Sequence, residues 1–216
     1  WITYKNEMGL SEDQIKKIKD DFEFKPFKST IVNNNSNKIG VVDISDIHAG
    51  SLVRYMHETI KQRSFNIDIL NEYLDNAATI INSYNFKEVS LFLPGDLIES
   101  FSGFNHRDTY KNIQAHQGDI ITMSYVILKR LLSNINNLKK VYMTEGNHDR
   151  FTMQKDGNSR KGMAEVLAYF LAENSTVPIV YHPFVVSDEI DGLYHICTHG
   201  DYRSFQKTGY DTFFFK

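Results

Sequence analysis

The sequence predicts an α/β fold, because short apolar segments typical of buried strands alternate with amphipathic segments typical of helices. Three apolar segments, each ending at a turn signal, predict buried strands at residues 39–44, 89–93 and 141–143. Two later segments, residues 179–186 and 193–198, predict strands that pair through a turn at Asp191-Gly192. We therefore expect a largely parallel sheet followed by a hairpin of antiparallel strands.

Helices are predicted before and between the strands. One helix face is marked by apolar residues at helical spacing, which are Ile67, Leu70, Leu74, Ala77, Ala78 and Ile81. Further helices are predicted over residues 109–132 and 162–173. Ser11 and Gln14 have the spacing of a capping box, which predicts a short helix that ends near Phe22.

The composition limits the classes of partner. The chain has 216 residues, of which 41% are hydrophobic, and its formal charge is −3. A nucleic-acid substrate would therefore need local basic groups or metal ions. No apolar stretch is long enough to span a membrane. Cys197 is the only cysteine, so no disulfide can form within the chain, and we expect a reducing, cytoplasmic location.

Four short motifs follow predicted strands in one order along the chain. They are Asp46-Ile47-His48, the segment from Gly95 to Glu99, the segment from Gly146 to Asp149, and His199-Gly200-Asp201. Each motif alone has an ordinary structural reading. Open α/β sheets place their ligand sites at the carboxyl ends of strands, so the four motifs together predict a two-metal phosphoesterase site.

The residue types match the chemistry that such a site needs. If the backbone at Asp46 and His48 is extended, both side chains point the same way and reach one metal. Asp96 supplies the shared carboxylate that two neighbouring cations require. Asn147 offers a neutral oxygen, and His199 offers a further imidazole, for a second metal.

The remaining motif residues suggest supporting roles. We expect His148 to stabilise the transition state or to protonate the leaving oxygen, with Asp149 orienting its imidazole. Glu99 is expected to hold a ligand or a loop amide. The other histidines carry no motif, and we expect structural or surface roles for His57, His106, His116, His182 and His195.

In their order, these motifs resemble those of the calcineurin-like metallophosphoesterase superfamily, and the resemblance covers about residues 39–201. It implies a layered α-β-β-α sandwich of two mixed β-sheets flanked by helices. It also implies two divalent metal ions, with Asp46, His48 and Asp96 on one and Asp96, Asn147 and His199 on the other. Residues 1–37 then form an N-terminal helical and polar extension, and residues 38–216 form the metallophosphoesterase domain.

Two features depart from the pattern or extend it. The superfamily's last motif, Gly-His-x-His, does not occur, and we expect it to lie beyond residue 216, the alternative being a degenerate site with weakened metal affinity. Residues 100–125 lengthen the gap between the second and third motifs, and we interpret them as an insertion over the site.

The branch within the superfamily is indicated by residues beside the motifs. Glu99 is followed by Ser100, not by the arginine of serine/threonine protein phosphatases, and Gly-Asn-His-Asp is closer to the DNA-repair exonuclease and phosphodiesterase branch. Arg107 and Arg150 are candidates to bind phosphate. Mixed oxygen and imidazole ligands suit Mn²⁺, our first choice, as well as Fe or Zn²⁺.

The leading hypothesis is a phosphodiesterase or nuclease that acts through a metal-bridging hydroxide on a phosphoester, with DNA or a nucleotide as candidate substrates. A small-molecule phosphomonoesterase or nucleotide phosphatase is the second hypothesis. A non-catalytic binding module with a degenerate metal site is the third. The sequence does not indicate protein partners.

Overall fold

The computed structural model describes residues 11–21, 26–53, 64–103, 106–151 and 162–200. The predictions that concern His57 and Asp201, and any motif beyond residue 216, lie outside these residues.

Two sheets make up the β-structure of the described residues. Strands β1 (Ile39–Asp43), β2 (Glu88–Pro94), β3 (Leu138–Thr144) and β4 (Ile179–Tyr181) form a four-stranded sheet in that order, with every pair parallel. Strands β5 (Val186–Ile190) and β6 (Leu193–Cys197) form an antiparallel hairpin. The α/β class with two sheets and flanking helices is confirmed, although the larger sheet is wholly parallel in the described part of the chain.

The helices are α1 (Glu12–Asp21), α2 (Ile67–Ser83), α3 (Arg107–Tyr110), α4 (Gly118–Asn134) and α5 (Met163–Glu173). The predicted capping box is confirmed, because the Gln14 amide donates to Ser11 Oγ at 3.2 Å and the Ser11 amide donates to Gln14 Oε1 at 2.9 Å. Among the described helices, none is long and apolar enough to cross a membrane.

The prediction of one helix over residues 109–132 is wrong. Helix α3 ends at Tyr110, and α4 begins only at Gly118. Gln117 has φ 51° and ψ −120°, which a right-handed helix cannot contain. The connecting residues pair with another loop instead, since the Gln114 amide donates to the Gly50 carbonyl at 2.8 Å.

The segment predicted as one strand over residues 179–186 contains two strands. Strand β4 pairs with β3, and only β5 pairs with β6. Pro183 lies between them and has no amide proton to give to a sheet. The next two amides, of Phe184 and Val185, turn back to His182 Nδ1 at 3.3 Å, which ends β4.

The core is divided between the two faces of the parallel sheet. Alternate strand residues point to opposite faces. Leu91 and Leu93 of β2 belong to the large core that includes residues of α2, α4 and α5. Phe92 of β2 stacks on Tyr142 of β3, with ring centroids 4.4 Å apart, and this pair packs against Val186 and Cys197 of the hairpin. The hairpin is therefore held on the face opposite to these helices.

The segment before β1 is tied to the rest of the fold. The Phe27 amide donates to the Asn174 carbonyl at 2.8 Å, and the Phe27 side chain is buried in the large core. Ser29 Oγ donates to the Ile135 carbonyl at 2.8 Å. Part of the segment assigned to the N-terminal extension thus contributes to the packing of the domain.

Candidate metal centre

The four predicted motifs converge at one edge of the molecule. Asp46 follows β1, Asp96 follows β2, and Asn147 and His148 follow β3. His199 follows β6 and therefore reaches the cluster from the hairpin. Because the parallel strands share a direction, their carboxyl ends lie side by side. The cluster thus lies where the two sheets meet.

The backbone at three of these residues is left-handed, which corrects the expectation that Asp46 and His48 lie on an extended segment. Their φ angles are 54° and 47°, and the φ of Asp96 is 50°. Such conformations cost on the order of 1 kcal/mol or more in residues with a Cβ. Ile47 is buried between the two, while the His48 amide donates to the Asp96 carbonyl at 2.9 Å. The loops after β1 and β2 therefore hold each other in the strained form.

Two glycines allow the loops after β2 and β3 to touch. Gly95 has φ 80°, and a Cβ there would lie 2.5 Å from the Gly146 nitrogen. A Cβ on Gly146 would lie 2.1 Å from Asp96 Oδ1. Any side chain at Gly146 would occupy the space of the Asp96 carboxylate. The glycines of the second and third motifs are thus required by close packing next to Asp96.

The donor atoms form two overlapping groups that share Asp96. His48, Asp96 and His148 form one group, and Asp46, Asp96 and His199 form the other, with the donor atoms of each group within 4.8 Å of one another. His48 Nε2 lies 3.7 Å from Asp46 Oδ1 and 3.8 Å from Asp96 Oδ2. His199 Nε2 lies 3.3 Å from Asp96 Oδ2 and 3.1 Å from Asn147 Oδ1.

Each imidazole is oriented through its Nδ1 atom. His199 Nδ1 lies 2.8 Å from the Pro94 carbonyl, and His148 Nδ1 lies 2.7 Å from the Glu99 carbonyl. A carbonyl only accepts, so both Nδ1 atoms carry the proton that is donated to it. His48 Nδ1 lies 2.9 Å from Glu99 Oε2. Contacts of this kind fix the ring orientation of metal-binding histidines, and the supporting role expected of Glu99 stays a prediction.

The electrostatics of the cluster favour charged carboxylates. Burial raises the pKa of Asp96, but contacts with His199 and His148 outweigh burial and hold the pKa below its ordinary value. Burial also raises the pKa of Glu99, and its contact with His48 reverses the net shift to a lower pKa. Burial lowers the pKa of His48, while Glu99 raises it, and the net pKa is raised. The acids are therefore held as acceptors for positive charge.

Asp149 does not orient His148, which corrects the role expected for it. Its Oδ1 accepts from the Leu97 amide at 2.8 Å and from the Ile98 amide at 3.1 Å. Its Oδ2 accepts from the Gly146 amide at 2.9 Å. Burial raises the pKa of this fully buried carboxyl, and these amides oppose the rise. Asp149 thus joins the loops after β2 and β3, and the Glu99 carbonyl contacts His148 in its place.

Two further groups beside the cluster carry no motif. His106, for which we expected an ordinary role, stacks on His148 with ring centroids 3.8 Å apart, and its Nε2 lies 3.4 Å from the Asn147 carbonyl. Only the interpretation of residues 100–125 as an insertion over the site pointed toward this contact. Glu145 is buried before the third motif and accepts from the Tyr181 hydroxyl at 2.7 Å. Burial and the charge of Asp149 raise the pKa of Glu145.

The two candidate phosphate-binding arginines lie beside cluster residues in the chain. Arg107 is exposed and follows His106, and Arg150 is partly buried and follows Asp149. Their role in binding phosphate stays a prediction.

The donor set fits divalent cations. Asp46, Asp96 and Asn147 supply oxygen, while His48, His148 and His199 supply nitrogen, a mixture typical of Mn²⁺, Fe and Zn²⁺ sites. Asp96 has 4% of its surface exposed, and both of its carboxylate oxygens face partners within the cluster. A buried carboxylate between imidazoles whose Nδ1 atoms already face Pro94 or Glu99 is arranged to receive positive charge.

Comparison with known families assigns the chain. A family model described as calcineurin-like phosphoesterase matches residues 41–215, which is most of the chain and includes every residue of the cluster. No curated protein sequence matches the chain. The chain therefore belongs to the calcineurin-like phosphoesterase family, whose members are metal-dependent hydrolases of phosphoesters.

Proposed function

We propose that this chain is a two-metal phosphodiesterase of the nuclease type. The observation that supports the proposal most is that two groups of donor atoms share the carboxylate of Asp96. Two cations roughly 3.5–4 Å apart need such a shared anion, and sites of this kind act on phosphodiesters and phosphomonoesters. The residues proposed to hold one metal are Asp46, His48 and Asp96, and those proposed to hold the other are Asp96, Asn147 and His199. This assignment differs from the two donor groups, because it pairs His48 with Asp46, 3.7 Å away, and His199 with Asn147, 3.1 Å away.

The metals, with Mn²⁺ as our first choice, would supply Lewis acidity and an activated water for in-line attack on phosphorus. The chain supplies their placement. Asp96 Oδ1 accepts from the His148 amide at 2.8 Å, which leaves Oδ2 facing His48 and His199. Pro94 and Glu99 hold the three imidazoles through Nδ1. The ligand atoms are therefore oriented before a metal arrives.

His148 is proposed to hold a proton for the leaving oxygen. Its Nδ1 proton is engaged by the Glu99 carbonyl, so Nε2 is the atom that can exchange a proton with substrate. The ring is confined between the face of His106 and the edge of His48, whose centroid lies 4.6 Å away. A confined ring keeps Nε2 in one direction, which general acid catalysis requires.

The residues after Glu99 support a diesterase. Ser100 is fully buried, and its hydroxyl donates to the Ser102 carbonyl at 2.9 Å. This position therefore presents no cation to a terminal phosphate dianion. A phosphodiester carries one negative charge less than a monoester at neutral pH, so it depends less on such a cation.

The proposal is tested by comparing three substrates with Mn²⁺ present: bis-p-nitrophenyl phosphate, p-nitrophenyl phosphate and single-stranded DNA. We expect a higher kcat/KM on the diester than on the monoester, and cleavage of DNA. Asp68→Asn, an exposed acid in the first turn of α2, is the matched control for substitutions in the cluster and should retain wild-type rates. A higher rate on the monoester would favour the phosphomonoesterase hypothesis, and no activity on any phosphoester would refute catalysis.

The location proposed for this activity is the cytoplasm. Support comes from cysteine usage alone, since the single cysteine, Cys197, is free and buried against the hairpin core. Imaging of a tagged chain tests this part of the proposal.

A further inference from the structure

A large pocket is lined by residues between Phe101 and Gln117, in the segment that follows Glu99. Its volume is about 930 Å³, enough for a ligand of nucleotide size or larger. The described residues that line it combine aromatic rings with cations, and the ones that matter here are Phe101, Arg107, Tyr110 and Lys111. No carboxylate lines the pocket among the described residues.

The pocket adjoins the metal centre through three short stretches of chain. Phe101 comes two positions after Glu99, and its ring packs edge-on against Phe151, with centroids 5.0 Å apart. Phe151 in turn comes two positions after Asp149. Arg107 directly follows His106, whose ring stacks on His148. A substrate group that extends from the metals past His148 and His106 would therefore approach this pocket.

The aromatic wall is held in place by its neighbours. The Tyr110 ring meets the edge of His116, with centroids 4.8 Å apart, and lies so close to Gly103 that a Cβ there would be 3.2 Å from a ring carbon. Because Gly103 has no side chain, the Tyr110 ring can lie against its backbone. Flat rings of this kind bind nucleobases by stacking, whatever the base.

The cationic wall of the pocket consists of Arg107 and Lys111. Arg107 has no carboxylate partner within the described residues, and Lys111 lies 3.5 Å from Asp108, a side chain that is 96% exposed. Arg107 and Lys111 therefore offer positive charge on the pocket side to a phosphate that is not being cleaved.

We propose that the pocket binds a nucleotide unit, with the base against Tyr110 and Phe101 and its uncleaved phosphate on Arg107 and Lys111, while the phosphoester to be cleaved lies at the metals. This inference rests on the proposed phosphodiesterase function and names its substrate class. The substrate then needs a base and two phosphate groups, one to be cleaved and one bound in the pocket, as a phosphorylated dinucleotide or the end of a nucleic-acid strand has.

Three p-nitrophenyl diesters measure separately what the aromatic residues and the cationic residues of the pocket contribute to kcat/KM. They are methyl p-nitrophenyl phosphate, thymidine 5′-(p-nitrophenyl phosphate), and the same thymidine ester with a 3′-phosphate. For the wild type, kcat/KM should rise about 10-fold at each step. Tyr110→Ala should remove the first gain, and Arg107→Ala should remove the second. The controls Tyr169→Ala and Lys38→Ala, which change an exposed tyrosine of α5 and an exposed lysine before β1, should keep both gains.

A binding measurement keeps this inference separate from the proposed function. Titration calorimetry with thymidine 3′,5′-bisphosphate, with and without Mn²⁺, needs no turnover. We expect the bisphosphate to bind at least 10-fold more tightly than inorganic phosphate, and each pocket variant to lose about 10-fold. Binding of the bisphosphate by a chain that hydrolyses none of the three diesters would refute the catalytic proposal and leave the pocket assignment standing. Equal binding of bisphosphate and phosphate, or wild-type binding by both Arg107→Ala and Tyr110→Ala, would overturn the pocket assignment. Circular dichroism establishes that each variant is folded.

Discussion

At the scale of single residues, Asp96 is the residue that both donor groups share. Its left-handed backbone, its burial and the glycine at position 146 all place one carboxylate where both donor groups need it. Oδ1 is held by the His148 amide, and Oδ2 faces two imidazoles. A substitution that keeps the shape of the side chain and removes its charge isolates the electrostatic part of this role.

Asp96→Asn is expected to lose at least one metal and to reduce turnover to background. A neutral amide cannot offset the repulsion between two cations. Metal content measured by elemental analysis, together with kcat on bis-p-nitrophenyl phosphate, checks this, with Asp68→Asn as the control. Full metal occupancy with wild-type turnover would refute the bridging role.

His148→Ala is expected to leave the metal content nearly intact and to slow turnover by about 10²–10⁴, the usual range for a positioned general acid. The deficit should shrink with leaving groups of low pKa, which need no proton. A series of aryl diesters measures this dependence. Loss of metal would instead make His148 a ligand, a role that its place in a donor group with His48 and Asp96 allows.

Asp149→Asn should act on stability. Three amides donate to the Asp149 carboxylate, and an asparagine offers one acceptor oxygen and turns its own amide toward donors. We expect the free energy of unfolding to fall by about 2 kcal/mol, as is usual when buried donors lose their acceptor. Urea denaturation at pH 7 measures it. An unchanged free energy of unfolding would show that the loop after β3 holds its form without these bonds.

At the scale of elements, the hairpin positions His199. Strand β5 is fastened to β3 by Asp188, whose Oδ2 accepts from Lys140 Nζ at 2.7 Å and from the Tyr142 hydroxyl. Phe92 and Tyr142 pack against the same hairpin from the sheet. Because His199 comes two positions after the end of β6, the docking of the hairpin decides where this imidazole lies relative to Asp96.

The Asp188 contact should give the stability a defined pH dependence. Hydrogen bonds from Lys140 and Tyr142 lower the pKa of Asp188 to about 2, whereas an unfolded aspartate titrates near ~3.9. The stabilisation is therefore complete above about pH 4 and is lost as the pH falls through about 2. Since a third of the carboxylate side chain is exposed, solvent screening limits the contribution to about 1 kcal/mol.

Asp188→Asn should accordingly lower the free energy of unfolding by about 1 kcal/mol at pH 7. The difference between variant and wild type should shrink steadily as denaturation is repeated at lower pH. A difference that stays constant down to pH 2.5 would mean that the ionised carboxylate contributes nothing to the docking of the hairpin.

At the scale of the whole molecule, the sequence predicts the parts that depend on local pattern. The strands before Asp46, Asp96 and Asn147 are buried apolar segments, and parallel pairing brings their ends together. The second core, under the hairpin, follows from alternation along β2 and β3. The family match over residues 41–215 agrees with this assembly.

What the sequence does not predict depends on contacts between distant residues. The left-handed backbone of Asp46 and His48 is imposed by pairing with the loop after β2. Two of the three amides that bind Asp149 belong to Leu97 and Ile98, about 50 positions earlier in the chain. The stack of His106 on His148 joins two loops in the same way. The spacing of residues within one motif cannot predict partners that lie this far away in the chain.

The shared carboxylate is tested most directly by diffraction from crystals of the chain grown with Mn²⁺, recorded where manganese scatters anomalously. We predict two anomalous peaks roughly 3.5–4 Å apart, with Asp96 between them, Asp46 and His48 beside one, and Asn147 and His199 beside the other. A single peak, or two peaks neither of which lies within bonding distance of Asp96, would contradict the two-metal centre.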